Sequence, residues 1–158
     1  MRIIGIDPGT KITGVGIIDI DNRGNFSPVF FAPLKFKDSL NNVIFQFFTE
    51  IREIVEEYKP DIGVIEDIFY AVNVRSTIML AHLRGSAITL FKLKGMPVYS
   101  YTPLDVKKTI AGYGRADKEQ VRFLVENLLG IDLKGYPSDV SDALALAICH
   151  ANYSVFNF

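Results

Sequence analysis

Four acidic residues carry the chemistry available to this sequence. Asp7 ends the run Arg2-Ile3-Ile4-Gly5-Ile6 and is followed by Pro8-Gly9. Glu66 ends a second short apolar run, Asp61-Ile62-Gly63-Val64-Ile65, with Asp67 directly behind it. Asp139 and Asp142 stand three residues apart where the last helical pattern begins, so their side chains share one helix face. Each has an ordinary explanation on its own. Asp-Pro-Gly makes a turn, and acids in a first turn complement the helix dipole. Gathered in one place, however, carboxylates repel strongly and require protons or cations. All-oxygen donors suit hard ions such as Mg²⁺ or Mn²⁺, whereas one Cys and two His without nearby partners do not make a zinc site. Two such ions roughly 4 Å apart can activate water and stabilise the leaving oxygen of a phosphodiester. The residues favour a metal-dependent nuclease.

The elements that must position these acids are legible from periodicity. Ile3, Ile4 and Ile6 form a short strand buried on both faces, ended by Asp-Pro-Gly. A second strand spans 12–20, and the turn-rich stretch Asp19–Asn25 leads into a third near Val29–Phe36, so the first three strands form an antiparallel meander. Ile44, Phe47, Phe48, Ile51, Val55 and Tyr58 keep helical spacing, with Ser39 or Asp38 as the cap and Lys59-Pro60 as the stop. That crossover predicts parallel pairing of the Asp61–Asp67 strand with the first, so that both end in acids on one sheet edge. A long helix over 76–93 follows, small-faced from Ala81 to Ala87, then a short strand at Val98–Tyr101. A brief helix with Pro103 in its first turn carries Lys107 and Lys108. Tyr113 and Arg115 tip a glycine-containing loop, and Asp117-Lys118-Glu119-Gln120 opens a helix with a capping-box pattern and closes it at Gly130. The final helix begins at Ser138 and is rich in small residues able to press close to a sheet.

The 158 residues fit one domain with a real core, nearly half of them apolar. No apolar run reaches a membrane span, no secretory-signal pattern is present, and the single Cys149 suits a reducing cytoplasm. The net charge of −1 hides a segregation. Residues 75–122 hold nine Lys/Arg against three Asp/Glu, while both flanking segments are acidic. A basic third beside a carboxylate site is what a phosphate-tracking surface requires, and a merely solvated basic helix pair would look the same. Lys107 and Lys118, and with less support Arg75, Arg84 and Arg115, are the candidate phosphate contacts. Phe69, just past a strand end, reads equally as a core lid or as an aromatic able to stack on an unpaired base. His82, His150 and Cys149 read as packing residues.

Gly5-Ile6-Asp7-Pro8-Gly9-Thr10 with Thr13-Gly14, Ile65-Glu66, Phe69, Asn73, His82-Leu83-Arg84-Gly85, Val106-Lys107-Lys108-Thr109, Gly114, Lys118 and Asp139-x-x-Asp142-Ala143-Leu144-Ala145 resembles the RuvC family of Holliday-junction resolvases, in order from about Met1 to His150. The resemblance implies an α/β, RNase H-like fold: a five-stranded mixed sheet, first three strands antiparallel, flanked by helices. It also implies a homodimer that resolves four-way DNA junctions by paired nicks with Mg²⁺ or Mn²⁺, working with branch-migration motor proteins. It maps the four catalytic and metal-binding acids onto Asp7, Glu66, Asp139 and Asp142, the junction-contacting aromatic onto Phe69, and functional lysines onto Lys107 and Lys118. The small face at Ala81–Ala87 is the expected dimer surface.

Several positions depart from the family pattern. Val140 and Ser141 stand where small alanines are common, Asp67 where an amide is often found, and the sequence ends at Phe158 without the longer basic tail of some relatives, which places more weight on the 75–122 surface. Two other readings remain open. One is an RNase H-like nuclease for another structured nucleic acid. The other is an actin-like or sugar-kinase-type ATP-binding domain, which shares Gly-Ile-Asp-x-Gly-Thr but requires a second nucleotide-binding domain and is not a Walker motif.

Overall fold

A computed structural model describes residues 1–67 and 74–156, with the side chains of 155 and 156 excluded. Strands β1 (Arg2–Asp7), β2 (Ile12–Ile20) and β3 (Phe26–Lys35) precede helix α1 (Leu40–Tyr58), strand β4 (Ile62–Glu66), helix α2 (Val74–Leu93), strand β5 (Val98–Tyr101) and helices α3 (Pro103–Ala111), α4 (Lys118–Leu129) and α5 (Ser138–Phe156). The sheet order is β3-β2-β1-β4-β5. The meander pairs β1–β2 and β2–β3 antiparallel, and the α1 crossover returns β4 parallel to β1, with β5 parallel to β4. The expected five-stranded mixed sheet is thus present, and β3 begins three residues earlier than its apolar pattern suggests, because Phe26 pairs with Ile20.

Strand alternation divides the core into two layers. Ile4, Ile6, Val15, Ile17 and Leu34 pack against α1 and α2, while Ile3, Ile18 and Val64 pack with α3, α4 and α5. Helix α5 is the central element of the second layer. Val140, Leu144, Leu146 and Ile148 are essentially buried, so the helix is apolar all round and lies between the sheet and the outer helices. Burying each of these larger side chains contributes about 1.5–3 kcal/mol.

The backbone approach of α5 to the sheet depends on missing side chains. A Cβ built on Gly5 would overlap the carbonyl of Ala143, and one on Gly14 the carbonyl of Asp139. These two glycines set the height of the helix above β1 and β2, and so the position of the helix start that carries both aspartates.

The helix ends follow the sequence signals, with one change. Asp117 and Gln120 form the capping box at α4, and Gly130 in left-handed geometry closes the helix. Thr102 and Asp105 form a second box at α3, which the pattern Thr-Pro-x-Asp could have disclosed. At α1, Ser39 makes no side-chain cap; Asp38 instead accepts from the Ser39 N–H and from Asn42 Nδ2. His82 is a correction: it lies exposed on α2, its Nδ1 2.7 Å from the Ile78 carbonyl, because its position falls on the outer face of the helix. His150 packs as expected, with Nδ1 2.8 Å from the Tyr101 hydroxyl. No described helix is long and apolar enough to cross a membrane.

Candidate active site

Register brings the acids to one edge and one face. Asp7 pairs with Gly14, whose missing side chain faces Asp139, so Asp7 points to the α5 side of the sheet. On β4, Val64 belongs to the α5-side core and Ile65 to the opposite one, so alternation puts Glu66 on the α5 side as well. Asp139, in the first turn of α5, and Asp142, one turn on, descend from the helix start. The intervening turn is fixed by Thr13, fully buried, whose hydroxyl accepts from the Gly9 N–H at 3.2 Å and donates to the Gly9 carbonyl at 3.0 Å. That pair of bonds holds Pro8-Gly9 away from Asp7, and a Cβ on Gly9 would stand 3.8 Å from an Asp139 carboxylate oxygen.

The electrostatics record this convergence. Burial pushes the Asp7 carboxyl up to about 9, and the charges of Glu66, Asp142 and Asp139 add to the shift. Glu66 is raised by burial, offset in part by its hydrogen bond with Asp7, the two acids sharing a proton. Asp142 is raised by burial as well, against the lowering effect of Lys118, whose Nζ lies 3.0 Å from Asp142 Oδ2. Lys118 is itself raised by that bond. All four acids are half-buried.

Among the described residues, no three His, Cys, Asp or Glu side chains stand in a ready-made metal cage. The donor set nevertheless fits hard divalent cations. It is all carboxylate, it is partly desolvated, and its uncompensated repulsion is of the kind that cations relieve.

A cleft of about 280 Å³ opens beside the acids, lined by Glu66, Asp142, Lys107, Lys118 and the apolar wall of Val106, Val121 and Leu146. Lys107 and Lys118, eleven residues apart in sequence, therefore face the same space as the carboxylates. The predicted arginines divide. Arg115 is exposed near the α4 start, and Arg75 lies at the α2 start beside Asp38 and Ser39. Arg84 is engaged with the sheet instead: Nη2 donates to Ser100 Oγ at 2.7 Å and lies 3.3 Å from Asp67 Oδ1, and Nε donates to the Glu66 carbonyl at 3.3 Å. Sequence reading missed this tie, since nothing local links positions 66, 84 and 100. It also gives Asp67 a role, as the carboxylate that receives Arg84. Phe69, Tyr70 and Asn73 lie outside the described residues.

The model for crossover junction endodeoxyribonuclease RuvC matches residues 3–150 of the chain. A crossover junction endodeoxyribonuclease RuvC of Koribacter versatilis is 40% identical over 156 residues, covering 98% of this chain and 94% of that protein. Among solved structures, Thermus thermophilus RuvC is 27% identical with a TM-score of 0.89, covering 98% of this chain and 96% of that one. T. thermophilus RuvC in complex with Holliday junction substrate, 24% identical, has the same fold at a TM-score of 0.89, with 99% and 97% covered.

Proposed function

The chain belongs to the RuvC family of crossover junction endodeoxyribonucleases, and from that membership we propose that it nicks four-way DNA junctions through Asp7, Glu66, Asp139 and Asp142, which hold divalent cations. The observation that carries this reading is the set of four half-buried carboxylates at one sheet edge, each pair of which interacts, with two lysines lining the adjoining cleft. When bound, two Mg²⁺ or Mn²⁺ ions supply an activated water and charge neutralisation at the leaving oxygen. The chain's own residues do the rest. Asp7 and Glu66 would hold the cations as carboxylates, without the proton they share in the metal-free chain. Lys118 favours the charged form of Asp142 against its burial, Lys107 meets the substrate phosphate, and Val106, Val121 and Leu146 exclude water from one wall. Arg84 holds the end of β4 so that Glu66 stays aimed at its partners. Phe69 enters as the base-stacking residue only through the family motif.

The decisive experiment is divalent-dependent cleavage of a synthetic four-way junction beside linear duplex and RNA–DNA hybrid. Preferential junction cleavage is expected; preference for hybrid would overturn the assignment in favour of another RNase H-like activity. Lys118→Met is expected to cut the cleavage rate roughly 10²-fold, the scale of losing one charge-stabilising donor. It should also move the acid limb of the pH–rate profile to higher pH, because Lys118 is what lowers Asp142. An unmoved limb would show that Asp142 does not depend on that contact.

The active unit is proposed to be a homodimer joined through α2. Val74 (70% exposed) and Ile78 (51%) continue into Ala81, His82 and Gly85 along one outer face, whereas Ala87, at the end of the expected small face, is buried in the core because it turns toward the sheet and α1. Gly85 has open space around it, and an interior helical glycine costs about 1 kcal/mol relative to alanine with nothing in the chain to offset it. Close approach by a second copy accounts for both. Ile78→Glu should halve the mass measured by light scattering; a dimer indifferent to this change would move the interface elsewhere.

A further inference from the structure

We propose that Lys35 and Lys37, with Lys11 beside them, form a second phosphate-binding edge on the opposite side of the acids from Lys107 and Lys118. On this arrangement the scissile strand crosses the site between two cationic banks. The inference rests on the nuclease reading above and adds a substrate path to it. Nothing in the charge distribution along the chain suggests it, because all three lysines fall in the acidic first segment.

The register locates them. Asp7, Gly14 and Pro33 lie in one row across β1, β2 and β3, on the face that α5 covers. Lys35 is two residues beyond Pro33 and shares that face, while Leu34 and Phe36, alternating with the lysines, are buried in the opposite core layer. Two strand spacings and two residue rises place its Cα about 12 Å from that of Asp7. Lys37 follows buried Phe36 and is exposed. The Phe36 N–H donates to the Lys11 carbonyl at 2.9 Å, which brings exposed Lys11 alongside. Because α5 starts at Ser138 over β2, its body does not extend over this corner, and the lysines border the acids at the edge where Gly9 approaches Asp139.

The charges are available. None of the ion pairs among the described residues involves Lys11, Lys35 or Lys37. The neighbouring acid, Asp38, is occupied with Ser39 and Asn42 at the α1 start. Lys35 ends β3 and Lys37 follows it two residues on, with Cα atoms up to about 6.6 Å apart, so the two long side chains can reach neighbouring phosphates of one strand. On the other bank, Lys107 and Lys118 approach from α3 and α4 beside Glu66 and Asp142. The acids therefore occupy the middle of a basic cradle that spans the sheet edge from β3 to α4.

The test is four-way junction binding in divalent-free buffer, titrated from low to high NaCl, for the full-length wild type, K35Q/K37Q, K35R/K37R and K59Q, a change of an exposed lysine after α1 at the sheet end opposite the acids. Removing two phosphate contacts should lessen the slope of log affinity against log salt by about 1.8 and weaken binding at low salt roughly tenfold or more. K35R/K37R should keep the wild-type slope, and K59Q should match wild type. Unchanged slope and affinity in K35Q/K37Q overturn the second edge, as does an equal loss in K59Q. A wild type without salt-dependent junction affinity overturns the nuclease reading itself, so the two failures are distinguishable.

Discussion

Asp7→Asn is expected to abolish junction cleavage, by at least about 10³-fold given the several kcal/mol that a divalent centre contributes, while leaving junction affinity within a few-fold of wild type. The separation follows from the layout. Asp7 is half-buried at the end of β1 and touches Glu66, whereas the candidate phosphate contacts Lys107, Lys118, Lys35 and Lys37 lie on either side of it. Asn keeps the size of the side chain and so the packing beneath α5, but it cannot supply an anionic oxygen to a cation. Cleavage assays with Mg²⁺ and binding assays without it measure the two halves independently. If binding vanished together with cleavage, Asp7 would be holding the domain or the DNA rather than the reaction.

The same variant has a stability signature with a defined sign. The Asp7 carboxyl is pushed up to about 9 in the folded chain by burial first and by Glu66, Asp142 and Asp139 after it, while an unfolded aspartate titrates near ~3.9. Between those limits the folded state binds the extra proton, so stability is fully present below the unfolded value and is lost as pH rises through the folded one. Metal-free wild type should therefore lose thermal stability between about pH 4 and pH 9. Asp7→Asn should lose less, and should melt above wild type at pH 8. Divalent cations should reverse the ranking, raising the melting temperature of wild type and doing so more strongly at pH 8 than at pH 6, since they compete with that proton. A melting temperature of metal-free wild type that climbs with pH would contradict the coupling among the acids.

Much of this centre is readable in the amino-acid sequence because its parts are local. A short isoleucine run ended by Asp-Pro-Gly, a second run ended by Glu66, and a pair of aspartates three apart each announce themselves within a few residues, and right-handed crossover connectivity aligns the two strand ends. The capping box at Asp117 and the small-residue character of α5 are equally local. What sequence could not show is contact between remote positions. Lys118 reaches Asp142 across 24 residues, and Arg84 ties together the Glu66 carbonyl, Asp67 and Ser100, so a residue expected to face DNA is engaged with the sheet. His82 was misassigned for a related reason: which side of α2 is buried depends on where α1 and the sheet lie, and its small-residue pattern does not define one apolar face. The lysines at and just beyond the end of β3 are hidden by counting charge along the chain. The alternation Leu34-Lys35-Phe36-Lys37 does fix their common face, but only the register with β1 relates that face to Asp7.

Gly14→Ala should be the most disruptive conservative change outside the acids, lowering stability by about 1–3 kcal/mol through overpacking and cleavage by about 10²-fold through misplacement. Gly14 pairs with Asp7 on one side and Pro33 on the other, so β2 is held at this point by both neighbours and cannot bow away. The added methyl would meet the Asp139 carbonyl and the Val140 amide, which are helix backbone and cannot rotate aside as a side chain could. Relief must come from lifting the start of α5. The rest of that helix resists, because a Cβ-free Gly5 seats it against Ala143 and Ala147 further along, and Leu144, Leu146 and Ile148 are buried in the core. The strain is therefore concentrated in the turn that carries Asp139 and Asp142, which would pivot away from Asp7 and Glu66. A methyl at Gly85, where nothing stands within 4 Å, provides the contrast: in the isolated chain it should raise helix stability by up to about 1 kcal/mol. Thermal melts of the two variants, with single-turnover cleavage by Gly14→Ala at a temperature where it remains folded, separate loss of fold from loss of alignment. Full single-turnover activity in folded Gly14→Ala would mean that the aspartates are not positioned by the contact between β2 and α5.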